Sequence, residues 1–311
     1  MIELDAVSKF YGQHAAIDAV SLRIERGEIC ALVGPSGAGK STLLRMINRL
    51  IPHDAGIIRI EGVDIADLPP VALRRRIGYV IQSVGLFPHW TVGQNIATVP
   101  RLLGWEDERV QERVSELLNL VGLHEDRYAG RYAHQLSGGE QQRVGVARAL
   151  AADPDVLLMD EPFGALDPLT RENLRTELLR IHAATKKTIV IVTHDIDEAF
   201  QLGSRVAILG HGRLIQQGTP RDILAAPASG FVHDFIGGAR ASLRLLKVET
   251  VRDRLRRPVS QPMGEPVPAS APLEDALALM IARGCRALPV SDGKAGIIGM
   301  LDLADLVEVR S

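Results

Sequence analysis

Residues Gly34–Ser41 read GPSGAGKS, and this octet decides how the rest of the chain is read. It satisfies G-x-x-x-x-G-K-[ST] at every fixed position. The β-prone run Glu28–Val33 (EICALV) precedes it, and Ser41–Leu50 follows with helical character. The spacing therefore predicts a strand, a tight glycine turn and a helix. The glycines let successive N–H groups converge on phosphate oxygens, and the helix N-terminus adds partial positive charge. In such a loop Lys40 reaches the β- and γ-phosphates of a nucleotide, and the Ser41 hydroxyl ligates Mg²⁺. An ordinary glycine-rich turn does not account for strand, spacing, Lys-Ser pair and helix together.

Further along, Val156–Asp160 (VLLMD) is an apolar run that ends in a carboxylate and is followed by Glu161. A strand of this kind places Asp160 at its C-terminal end, where α/β folds bind ligands. Asp160 can hold Mg²⁺ through its water shell, and Glu161 is then placed to polarise an attacking water. Ile77–Gln82 and Thr188–Thr193 read as further strands. Val156–Asp160 and Thr188–Thr193 are near-continuously apolar, as strands buried on both faces should be. Helical spacing runs through Val110, Val114, Leu117, Leu118 and Val121, and again through Leu174, Leu178 and Ile181. The expected architecture is α/β, with a helical subdomain inserted between the second strand and Val156.

Composition narrows the class. The 311 residues suffice for one large domain and a small one, and 46% are apolar. A formal net charge of −2 gives no electrostatic case for a nucleic-acid partner. The two cysteines, Cys30 and Cys285, form no disulfide framework and no metal-ligand cluster, as suits a reducing cytosol. The start, MIELDAVSKFYG, lacks the pattern of a secretory signal. No apolar window is long enough to span a bilayer, so any membrane role is expected to run through a partner.

Leu136–Gln142 reads LSGGEQQ and precedes a helix expected over Arg143–Ala151. A Ser-Gly-Gly turn that opens a helix is a second anion site, and its serine is at the same time a good N-cap. Two phosphate-binding loops in one chain suggest ATP clamped between two copies, head to tail. At this point residues 1–236 resemble the ABC ATPase family, whose motifs occur here in the family's order. The resemblance implies a P-loop NTPase core. It implies an ATP site built by Tyr11 against the adenine, by Gly34, Pro35, Ser36, Gly37, Ala38, Gly39, Lys40, Ser41 and Thr42, and by Ser137, Gly138, Gly139 and Asp167. Leu166 and Asp167 would lie in a loop that crosses the dimer. Catalysis would fall to Glu161, His194 and Gln82, and Mg²⁺ to Ser41, Gln82 and Asp160. Glu140 stands where the family most often has Gln. His89, His134 and His182 read as surface or packing residues.

The ATPase as a separate chain resembles bacterial importers more than exporters. Val84–Trp105 resembles the ATPases of osmoprotectant importers, which carry quaternary ammonium compounds such as glycine betaine. Phe87, Pro88 and Trp90 there serve packing, a groove for a membrane subunit, or both. Seven basic residues against two acidic ones between Arg240 and Arg257 precede a Pro-rich passage with Pro258, Pro262, Pro266, Pro268 and Pro272. This reads as a linker, either a solvated face or a contact for anionic lipid. Glu265–Val309 resembles a single CBS unit of β-α-β-β-α order, and is read as a sensor or as a dimerisation tail. The domains expected are thus 1–237 for the ATPase, 238–264 for the linker and 265–309 for a small α+β CBS-like unit. The partners implied are a second copy, transmembrane permease subunits, and indirectly a periplasmic or extracellular substrate-binding protein, with no nucleic acid. The place implied is cytoplasmic, peripheral on the inner face of the cell membrane. An ATPase for another small solute, or a soluble ABC protein of DNA repair or translation, are the alternatives.

Overall fold

The computed structural model describes residues 1–83, 85–164, 166–256, 264–293 and 296–307. Val84, Arg257, Pro258, Pro262 and residues 308–309 of the sequence reading lie outside them. The chain divides into two compact units, Met1–Thr219 and Pro220–Ser311. The sequence placed this boundary later, after residue 237.

In the first unit, β3 (Ile29–Val33), β6 (Ile77–Val80), β7 (Val156–Asp160), β8 (Thr188–Val192), β9 (Arg205–Gly210) and β10 (Arg213–Gly218) form a six-stranded sheet of order β10-β9-β3-β8-β7-β6. The neighbours from β9 to β6 pair in parallel, and β10 closes one edge antiparallel. Every residue of β3, β7 and β8 is buried, which is why they read as continuous apolar runs. β6 ends at Val80, so Gln82 stands in the turn beyond it rather than on the strand.

A second sheet, of order β2-β1-β4-β5, comprises β1 (Ile2–Tyr11), β2 (His14–Ile24), β4 (Ala55–Ile60) and β5 (Val63–Asp64). Helix Lys40–Ile47 buries Leu43, Leu44, Met46 and Ile47 in a core shared by β1, β2, β3, β4, β7, β8 and β9. Each such side chain contributes about 1.5–3 kcal/mol of burial, so the helix that starts at the phosphate loop is anchored by its own apolar face. Between β6 and β7 the chain makes helices Val92–Ile96, Thr98–Leu102, Asp107–Leu120, Glu125–Tyr128 and Gly138–Leu150. This is the expected helical insertion, and Val110, Val114, Leu117 and Leu118 are its buried stripe.

In the second unit, β11 (Val267–Pro268) pairs in parallel with β12 (Ala287–Ser291), which pairs antiparallel with β13 (Ile297–Asp302). Helix Leu273–Arg283 makes the parallel crossover, and Leu303–Val307 is the last helix. The β-α-β-β-α order matches the sequence reading. The described part of the stretch read as linker forms helices Ala241–Val248 and Val251–Arg254. Val251 is fully buried beside Val267, Leu273 and Val290. Arg254 is 6% exposed and pairs at 2.7 Å with buried Glu249, and Arg256 pairs with Asp305. These cations are used inside the unit, so the basic run is not one solvated face.

Candidate functional site

Because β3, β6, β7 and β8 run in parallel, the loops after them meet at one edge of the sheet. The loop after β3 is Gly34–Gly39. Gly39 has φ +94°, and a Cβ there would lie 2.4 Å from the Ala16 carbonyl oxygen and 2.6 Å from Ile17 Cδ1. The loop is thus pressed against β2 so closely that only glycine fits. Pro35, Ser36 and Gly37 stand exposed, Ala38 is buried, and Thr42 is half-buried in the first helical turn. Lys40 is 6% exposed, and its Nζ donates to the Gly34 and Pro35 carbonyls at 2.8 and 2.9 Å. Burial lowers its pKa, against the raising influence of Glu161 and Asp160. The ammonium folds into the loop where phosphate oxygens would be met.

Asp160, at the end of β7, is buried. Its Oδ1 accepts from Ser41 Oγ at 2.7 Å and its Oδ2 faces Arg45 Nη2 at 3.2 Å. Tyr79 of β6 lies near Arg45 and Asp160, and burial, helped by the Asp160 charge, raises the Tyr79 pKa. Glu161 adopts φ +46°, a left-handed conformation uncommon without glycine. Its N–H donates to the Val192 carbonyl at 3.0 Å, which ties it to the end of β8. Its Oε2 accepts from Gln82 Nε2 at 3.0 Å and lies 3.4 Å from His194 Nδ1. Gln82, Asp160, Glu161, His194, Lys40 and Ser41 therefore converge. The adjoining Ser41 and Asp160 oxygens, with Gln82 nearby, are donors suited to a hard cation.

Tyr11 closes the β1–β2 hairpin opposite His14 and is 53% exposed. Ser137 and Gly138 are exposed at the start of helix Gly138–Leu150. Ser137 caps the helix in a capping box with Glu140, whose Oε2 accepts from the Ser137 N–H at 2.8 Å and from its hydroxyl at 2.9 Å. Tyr128 Oη donates to Glu140 Oε1 at 2.7 Å and holds that carboxylate below its ordinary pKa. The neighbours of this second loop are Leu166, 3.5 Å from where a Gly138 Cβ would lie, and Thr170, 2.6 Å from that of Gly139. Asp167, exposed, caps helix Pro168–Thr185 by accepting from the Thr170 N–H at 3.1 Å.

Arg45 and Tyr79 escaped the sequence reading. Arg45 was findable, because it lies four residues after Ser41 on the same helix face. Tyr79 was not, since only the β6–β7 pairing places it beside Asp160.

The ABC transporter family matches residues 17–164, and the CBS domain matches residues 255–311. The dimeric structure of a post-hydrolysis state of the ATP-binding cassette MJ0796, bound to ADP and Pi, superposes with a TM-score of 0.63. That likeness is at 36% identity and covers 70% of this chain and 98% of that one. Fold and site thus define an ABC-type ATPase, which binds and hydrolyses ATP. The glycine betaine uptake system ATP-binding protein YehX of Escherichia coli (strain K12) is 52% identical over 99% of both chains. The glycine betaine/carnitine/choline transport ATP-binding protein OpuCA of Bacillus subtilis (strain 168) is 47% identical over 97% of this chain and 78% of its own length. The chain belongs to the ABC transporter family, in the branch of osmoprotectant-importer ATP-binding subunits, and itself carries a C-terminal CBS domain.

Proposed function

We propose that the chain is the ATP-hydrolysing subunit of an importer for quaternary ammonium osmoprotectants such as glycine betaine, closing head to tail with a second copy over ATP and Mg²⁺. The observation that carries the cargo is the 52% identity with a glycine betaine uptake subunit over 99% of each chain. Mg²⁺ would be held by Ser41, Gln82 and Asp160 with phosphate and water oxygens, and would neutralise charge on the transferring phosphoryl group. Lys40 would exchange its loop carbonyls for the β- and γ-phosphates. Glu161 would take the proton of the attacking water while Gln82 and His194 hold its carboxylate in place. Tyr11 would stack on the adenine. Ser137, Gly138 and Gly139 would close on the γ-phosphate held by the partner copy's phosphate loop, with Asp167 alongside. The exposure of Ser137, Gly138, Asp167 and Leu169, the last 73% exposed, favours a partner on that face.

No helix among the described residues is long and apolar enough to cross a membrane, so translocation would belong to separate permease subunits, fed by a substrate-binding protein. A groove of about 400 Å³, lined by Leu50, Arg74, Tyr79, Phe87, Val99 and Arg148, offers a seat for one of them. This reading puts the protein on the cytoplasmic face of the membrane. Uptake of radiolabelled glycine betaine in cells lacking the subunit tests it. Wild-type protein should restore uptake and Glu161→Gln should not. Uptake that is independent of the subunit would reject the cargo. Import of another small solute is the second reading, favoured by sulfate/thiosulfate import ATP-binding proteins such as that of Nocardia farcinica, 45% identical over 81% of this chain.

A further inference from the structure

Arg171, in the first turn of helix Pro168–Thr185, bridges two loops that the reaction uses separately. Its Nη2 donates to the Leu166 carbonyl at 3.2 Å. Its Nη1 faces Asp195 Oδ2 and its Nε faces Glu198 Oε1, each at 3.9 Å. The Nε is buried and has no hydrogen-bond partner. Asp195 and Glu198 enclose the turn that carries His194. Thr193 Oγ1 donates to Glu198 Oε2 at 2.5 Å, and accepts from the Asp195 N–H at 3.0 Å. Glu198 is 4% exposed, and burial and the Asp195 charge raise its pKa while Thr193, Arg175 and Arg171 pull it down.

We propose that Arg171 is a positioning residue that locks the Leu166–Asp167 loop and the His194 turn to one another. The guanidinium is planar and always charged, so one side chain can serve a carbonyl on one segment and two carboxylates on another in a fixed mutual geometry. Without it, Asp195 and Glu198 repel, and the Thr193–Glu198 bond that pins the His194 turn is weakened. His194 then leaves its place 3.4 Å from Glu161 Oε2. The loop that faces the partner copy shifts at the same time.

The inference rests on the catalytic reading of His194 given above, and steady-state ATP hydrolysis by the full chain tests both separately. Arg171→Met is expected to lower kcat about tenfold or more while changing the KM for ATP by less than about twofold. Arg171→Lys, which keeps the charge and loses the fork, should fall between Arg171→Met and wild type. Glu198→Gln should also slow turnover, and the double variant Arg171→Met/Glu198→Gln should be no slower than Arg171→Met alone within about twofold, because both act through one contact. A purely structural role would instead lower the melting temperature and multiply the losses. Wild-type kcat in Arg171→Met, or multiplicative losses, would overturn the inference. Should Arg171→Met fail to fold, Arg171→Lys and its combination with Glu198→Gln carry the same comparison. His194→Ala separates the two claims: if it hydrolyses ATP at the wild-type rate, the reading of His194 fails, whereas an impaired His194→Ala beside a wild-type Arg171→Met defeats only the role of Arg171.

Discussion

At the scale of the residue, chemistry is concentrated in a few side chains whose surroundings dictate what each can do. Glu161 receives Gln82 on Oε2 and stands beside His194, so its carboxylate is oriented before substrate arrives. Glu161→Gln should retain ATP binding and lose turnover by about 10²–10⁴-fold, the usual worth of a positioned proton acceptor. Phosphate release and nucleotide titration measure the two halves, and turnover above about a tenth of wild type would show that another group activates the water. Lys40→Ala should fail earlier, at nucleotide binding, because its ammonium is already desolvated within the loop. Glu198 gives a prediction of opposite character. Its pKa is raised in the fold, so the folded state holds this proton more tightly than the unfolded chain does. That contribution is fully present below the ordinary value of 4.5 and is lost as pH rises through the raised value. Glu198→Gln should therefore gain melting temperature relative to wild type as pH rises from about 4 to 7, even though it slows hydrolysis. A difference that stays constant across that range would contradict the assigned shift. Lys40, Glu161 and Asp160 were legible in the sequence because their neighbours in the chain declare their chemistry. Tyr79 and Arg171 were not, because their partners lie on other elements, whereas Arg45 was within reach through its spacing from Ser41 on one helix.

At the scale of the element, the phosphate loop works because β2 supports it. Gly39→Ala would bring a Cβ within 2.4 Å of the Ala16 carbonyl oxygen at φ +94°. The expected cost is about 1–3 kcal/mol of stability, together with weakened ATP affinity. Thermal unfolding checks the first and nucleotide titration the second, and a variant matching wild type in both would contradict the tight loop–strand contact. The same scale shows what apolar patterning reveals and conceals. β3, β7 and β8 are buried along their whole length, and continuous apolar runs marked them. β1 and β2 were missed because neither is a continuous apolar run: β2 alternates buried and exposed positions from Val20 to Ile24, and in β1 register shifts at Leu4/Val7 and Val7/Lys9 break the alternation. Polar residues on their exposed face break the run that the eye follows. The basic stretch after Arg240 misled in the other direction. Charge density suggested solvent, yet Arg254 is buried against Glu249 and Val251 sits in a core. Charge counts carry no information about pairing partners, and here the partners lie both nearby in sequence and as far away as Asp305.

At the scale of the whole molecule, the proposed mechanism turns on two loops that each open a helix, Gly34–Gly39 and the one at Ser137. The neighbours of Ser137, Gly138 and Gly139 are Glu140, Leu166 and Thr170 in turn, none of them in the chain's own phosphate loop. In the proposed dimer the second loop would serve the γ-phosphate of a partner copy, and hydrolysis would thereby be coupled to closure. Ser137→Arg should block hydrolysis while each chain still binds ATP, since a bulky cation obstructs closure and leaves Gly34–Ser41 intact. Equal nucleotide titrations with hydrolysis unaltered would contradict this. Cross-linking tests the shared site most directly. Ser36→Cys in one chain and Gly138→Cys in another, both in a background with Cys30→Ala, Cys285→Ala and Glu161→Gln, place single thiols on two loops that are exposed in the free chain. With ATP and a short bifunctional spacer, the account predicts an interchain adduct that forms only when the two variants are mixed and that fades without nucleotide. An adduct absent under ATP, while a chain carrying both cysteines cross-links within itself, would contradict the head-to-tail dimer.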